Sequence, residues 1–155
     1  MGEINIQEGN SVGLPKGTKN FTDTIDIRLA CVEDGLENMG FRKFAAYVKS
    51  IHSKTKVAYV PTGNWRGYIK LMSEKGAGAL TEKDTHTVAQ FMAEGDIAAF
   101  SSMTQYSTTV QEIIANIRLI NPNTYIVWGG IHAIIHPEDA IKYADVVTQS
   151  YHPVK

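Results

Sequence analysis

The chain has 155 residues, 43% hydrophobic and 20% charged, and 15 basic against 16 acidic side chains leave a formal net charge of −1. That balance excludes disorder as a description of the whole chain, and it argues against a dedicated nucleic-acid binder, which would carry a basic patch or stripe. The single cysteine, Cys31, excludes an internal disulfide, a Cys-x-x-Cys zinc site and a multi-cysteine iron–sulfur cluster.

Residues 1–24 scatter Gly2, Gly9, Gly13, Pro15 and Gly17 among polar side chains. So little apolar surface does not offset the entropy of ordering, which predicts a flexible N-terminal arm or a partner-contacting extension ahead of a domain over 25–155. Residues 27–32 form a short apolar run, a first strand, ending at Glu33-Asp34-Gly35. Phe41, Phe44, Ala45, Val48 and Ile51 recur at helical spacing and predict an amphipathic helix over 39–52. A second strand over 56–60 is halted by Pro61-Thr62-Gly63. Residues 64–80, with Trp65 and Tyr68, give no clear element. Residues 81–94 read as a helix with Gly95 as its stop, and 96–100 as a third strand running into Ser101-Ser102-Met103-Thr104. Val110, Ile113, Ile114, Ile117 and Ile120 mark the clearest helix. Thr109 and Glu112 read as a capping box at its start, and Asn121-Pro122 marks its end. Residues 124–128 are a fourth strand broken by Gly129-Gly130, Pro137 opens a short helix, and 145–148 supply a fifth strand.

Five short strands separated by helices predict an α/β fold: a doubly wound, flavodoxin-like (Rossmann-like) five-stranded parallel sheet with helices on both faces. Ligands of such sheets bind beyond the carboxyl ends of the strands, where the strand order reverses. The residues at those ends are therefore the candidates. Ser101 and Ser102 offer hydroxyls that donate to or accept from a polar ligand atom. Gly129 and Gly130 have no Cβ, so a flat ligand can approach the backbone there, and a Gly130→Phe change is expected to fill that space while leaving the fold intact. Read alone, these are tight-turn glycines and helix-capping serines.

Together, Ser101-Ser102-Met103 and, after 25 intervening residues, Gly129-Gly130 are similar to the Ser-x-Leu and Gly-Gly elements of cobalamin-binding domains. The stretch from Asp96 through Gly129-Gly130-Ile131-His132-Ala133 to His136-Pro137-Glu138 resembles the subgroup that precedes radical S-adenosylmethionine catalytic domains. Gly35-Leu36-Glu37-Asn38-Met39-Gly40-Phe41 fits the first loop of that domain. The resemblance implies a corrinoid held with its nucleotide tail extended into a slot between sheet and helices. It implies cofactor contacts from Asp34, Leu36, Ser101, Ser102, Met103, Thr104, Gly129, Gly130, Ile131, His132 and Gln149. Ser101 would bond the tail, Met103 pack its wall, and Ile131 and His132 line its upper part.

Three departures qualify the resemblance. Cobalt-ligating relatives carry Asp-x-His-x-x-Gly after the first strand, whereas Glu33-Asp34-Gly35-Leu36-Glu37-Asn38 holds no histidine, as is common in the radical-enzyme subgroup. Asp84-Thr85-His86 imitates the motif but falls inside a predicted helix. No Cys-x-x-x-Cys-x-x-Cys is present, so an iron–sulfur cluster is not expected in this chain. After the fifth strand the chain holds only Ser150-Tyr151-His152-Pro153-Val154-Lys155, where the family continues into a Gly-Glu-rich loop.

The expectation is thus a non-catalytic cobalamin-binding domain serving a separate or missing radical S-adenosylmethionine unit, with no catalytic residue and no metal ligand of its own. The alternative is a protein interaction module that keeps the fold and has lost the cofactor. A cytoplasmic location is expected, with a corrinoid and a separately encoded catalytic protein as partners and neither nucleic acid nor membrane. Two further readings carry less. His132 and His136 with Glu138 and Asp139 offer metal-ligand types, but Pro137 implies that a helix starts only after His136. A phosphoacceptor receiver domain would need an aspartate and a lysine where Ser101 and Gln149 stand.

Overall fold

The structure, a computed structural model, describes residues 24–33, 38–62 and 80–148. Residues 1–23 of the predicted arm, the first loop with Asp34 and Leu36, residues 64–79 of the unclear stretch and Gln149 lie outside the described residues. The elements follow in the order β1 (Ile27–Glu33), α1 (Met39–Ile51), β2 (Thr55–Pro61), α2 (Glu82–Ala93) and β3 (Ile97–Ser102). A 3-10 turn (Thr104–Tyr106) leads to α3 (Ser107–Ile120), β4 (Tyr125–Gly129), α4 (Ile131–Ile135), α5 (Pro137–Ala140) and β5 (Val146–Val147). All strand pairs are parallel, in the order β2-β1-β3-β4-β5. This is the doubly wound, flavodoxin-like order, with its reversal between β1 and β3.

The two faces of the sheet are unequally covered. On one, Phe100, Ile126 and Trp128 pack under α2 and α3 through Met92, Val110, Ile113, Ile114 and Ile117. On the other, Leu29 and Cys31 pack under Phe41 and Ala45 of α1. Period-2 alternation assigns strand residues to faces, and the register aligns them in rows. Leu29 pairs with Ala99 and Ala99 with Val127; one step along, Cys31 pairs with Ser101 and Ser101 with Gly129. All of these point to the α1 side. Phe100 and Trp128 point away.

Several local expectations are corrected. The capping box is not at Thr109: α3 begins at Ser107, because the 3-10 turn after Met103 already sets helical backbone there, and no side chain caps it. The box is at α2 instead, where the Thr81 hydroxyl accepts from the Asp84 N–H and the Asp84 carboxylate accepts from the Thr81 N–H. Gly95 lies just past α2, but its φ is not positive. A Cβ there would come 2.5 Å from Arg28 Cγ. Glycine at 95 makes room for that buried arginine. Arg28 is held by Asp26 at 2.5 Å and Glu94 at 3.2 Å, with its guanidinium 4.7 Å from the Phe91 ring centroid. Finally, a helical turn, α4, stands where only a break after Gly129-Gly130 was expected, so His132 is helical while His136 follows the turn.

Candidate ligand-binding cleft

Leu29 of β1 and the later residues of β3 and β4 lie on the α1 side beneath a cleft of about 470 Å³. That is within the roughly 300–1,000 Å³ of small-ligand sites. Ala99, Val127, Ser101 and Gly129 form its floor, and Phe41, Phe44 and Gly40 of α1 form one wall. Ile134 of α4, Gly130 and Thr148 close the rest. The spacing of Gly40, Phe41 and Phe44 brings all three to one flank of α1. Phe41 is fixed by its edge-on contact with Tyr59, centroid to centroid 5.7 Å, whereas Phe44 remains 52% exposed. The N-terminus of α1 is set by Asn38, whose Oδ1 accepts from the Phe41 N–H at 2.9 Å and whose Nδ2 donates to Glu33 at 2.6 Å.

Of the sequence candidates, Ser101, Gly129 and Gly130 line the cleft. No hydrogen bond engages the Ser101 hydroxyl among the described residues, so it is an open donor and acceptor in a lining whose other side-chain hydroxyl is that of Thr148. Ser102 faces the opposite layer, where its Oγ accepts from Trp128 Nε1 at 3.0 Å. Successive strand residues cannot share a face, so parity alone separates the two serines. Met103 is 42% exposed, and neither it, Thr104 nor Ile131 is among the lining residues. His86 is exposed on α2, with Asp84 engaged by Thr81.

The glycines need a different account from the one the sequence suggested. Gly130 has φ +90, and a Cβ on it would lie 2.9 Å from the Ser102 backbone and from Ser101 Oγ. Its bareness serves the close approach of the β4–α4 turn to β3, so Gly130→Phe would disrupt the fold rather than merely plug a slot. A Cβ on Gly129 would collide with Thr148 Oγ1. The smooth floor comes from Ala99 and Val127 as much as from either glycine. Ala99, Val127 and Ile134 carry no mark as site residues in the sequence, and Phe41 and Phe44 stand there as positions of the predicted helix; the strand parity of 99 with 101 and of 127 with 129 marks two of them.

His132 is buried on the far side of α4, its ring 4.9 Å from Trp128 and 5.5 Å from His136, centroid to centroid. Its Nε2 lies 3.4 Å from Asp139 Oδ2, within ion-pair reach but without hydrogen-bond geometry, and neither ring nitrogen has a hydrogen-bond partner. Burial pushes its pKa below the usual histidine value of 6.5, and this outweighs the attraction of Asp139. Asp139 is shared with Gln111 Nε2 at 3.1 Å and Lys142 Nζ at 3.4 Å. Among the described residues no group of three His, Cys, Asp or Glu side chains is arranged to hold a metal ion. Cys31, next to Ser101 in the ladder, has its thiol pKa pushed up to about 12, first by burial and then by the Glu33 charge.

No protein-family model matches the chain, and no curated protein matches it. A flat, largely apolar group fits its lining, and Ser101 is placed to pair with one polar atom of that group. No described helix is long and apolar enough to cross a membrane.

Proposed function

We propose that the chain is a non-catalytic binding domain for cobalamin or a related corrinoid, with the cofactor's nucleotide tail extended into the cleft between the sheet and α1. The reading rests on one observation above the others. Ser101 and Gly129 are paired across β3 and β4 on the floor of an apolar cleft at the carboxyl ends of the strands. The open hydroxyl of Ser101 suits the ring nitrogen of a benzimidazole, and Phe41, Phe44 and Ile134 suit its faces. Burial of that apolar surface, at about 25 cal/mol per Å², would dominate the affinity over any single polar contact. Among the described residues no histidine lines the cleft. The bound corrinoid would supply alkyl- or electron-transfer chemistry at cobalt, used by a separate radical S-adenosylmethionine partner, while this chain binds and orients it.

Titration of hydroxocobalamin with the purified protein, followed by visible absorption, tests the reading. The wild type is expected to shift the spectrum, and Ser101→Ala to weaken binding by about 0.5–1.5 kcal/mol, the worth of an ordinary neutral hydrogen bond. Ala99→Phe fills the floor and is expected to abolish binding while circular dichroism stays native. A wild-type protein that leaves the spectrum unchanged overturns the proposal, as does a folded Ala99→Phe protein that titrates normally. One observation favours a second reading: Phe44, Tyr47 and Ile51 leave an exposed apolar stripe on α1 beside the cleft. Such a stripe suits a protein partner, and absence of any corrinoid response would favour that interaction module.

A further inference from the structure

We infer that the cleft selects among corrinoids by the base of the nucleotide tail, accepting a benzimidazole and discriminating against a purine such as adenine. This rests on the corrinoid reading and goes beyond it. The side chains of the floor and walls, Ala99, Val127, Phe41, Phe44 and Ile134, offer neither donors nor acceptors. Two hydroxyls complete the lining among the described residues. Ser101 is central, and Thr148 stands at the β5 side, over the place a Gly129 Cβ would occupy. The ladder between β3 and β4 engages the backbone groups beneath.

A dimethylbenzimidazole brings one free ring nitrogen, which Ser101 satisfies. Adenine brings further ring nitrogens and an exocyclic amine with two N–H donors. Set against Ala99, Val127 and the phenylalanines, those groups give up water, and Thr148 at the β5 side, the one other hydroxyl of the described lining, leaves most of them without a partner. An unmade hydrogen bond of a buried group costs more than a made one contributes. Discrimination of this kind by an apolar pocket amounts to about ten- to a hundredfold.

The test is an equilibrium titration read by visible absorption with three probes: hydroxocobalamin, its adeninyl analogue and cobinamide, which has no base. Hydroxocobalamin is expected to bind tightest, the adeninyl form about ten- to a hundredfold more weakly, and cobinamide more weakly than hydroxocobalamin. Val127→Thr, which adds a hydroxyl to the floor at nearly constant volume, is expected to narrow the gap between the two bases, with Ala99→Ser as a second variant should Val127→Thr misfold. Equal affinity for the two bases overturns the selectivity and leaves corrinoid carriage standing. So does a gap that neither folded variant narrows. Cobinamide binding as tightly as hydroxocobalamin overturns the placement of the tail in the cleft, and no binding by any probe overturns the corrinoid reading itself.

Discussion

Gly130 shows how one residue type can be required for a reason unlike the one it suggests. With φ at +90 and the β3 backbone 2.9 Å from where a Cβ would lie, it faces two independent penalties on substitution. Gly130→Ala is therefore expected to cost more than about 2 kcal/mol in urea denaturation, from backbone strain and overpacking together. Gly40 is the control. A Cβ there meets Asn38 Oδ1 at an ordinary 3.5 Å in a helical backbone. Gly40→Ala should stabilise by about 0.4–1 kcal/mol, chiefly by restricting the unfolded chain. The doublet Gly129-Gly130 is plain in the sequence. Which way each missing Cβ would have pointed is not, because that depends on strands and loops distant in the chain.

At the scale of elements, α2 and α3 start by different means. A side-chain box holds the first turn of α2 at Thr81 and Asp84, while α3 follows a 3-10 turn and has no side-chain cap. Thr81→Ala is accordingly expected to lose about 1 kcal/mol of stability by urea denaturation, and Thr109→Ala to change it by less than about 0.5 kcal/mol. Both patterns look alike on paper, a threonine followed three residues later by an acid. The chain's exit from β3 decides between them. Helix α1 was legible from its apolar spacing, and so was its buried face. Its exposed flank at Phe44 was not, since nothing local says which neighbour would cover a second apolar stripe.

For the whole molecule, acid should loosen the layer that carries α4. His132 takes up a proton less readily folded than unfolded, so its contribution to stability is present above pH 6.5 and is lost as pH falls below that value. The groups facing it are Asp139, which would attract the imidazolium, and His136, which would repel it. The slope for one such group is at most about 1.4 kcal/mol per pH unit. Urea midpoints at pH 7.5 and 5.5 should show the decline, and His132→Phe should flatten it. A second loss belongs to stronger acid. Burial raises the Asp145 pKa, but the Ile126 N–H at 2.7 Å and Arg118 at 2.8 Å outweigh it and hold the carboxyl below its usual value. That tie at the start of β4 and β5 is released only as pH falls below 3.8.

What this protein's sequence determined by itself was the alternation of strands and helices, and with it the parallel sheet. Those follow from hydrophobic periodicity and from the handedness of crossovers, which act over short stretches of chain. Strand parity groups Ala99 with Ser101 and sets Ser102 apart, but only the tertiary structure decided that the Ser101 side faces the cleft beside Val127 while Ser102 turns to Trp128. It also decided that Gly130 accommodates β3, and that Arg28 occupies the space Gly95 leaves. Each of these is a contact between segments tens of residues apart, set by strand register and close packing.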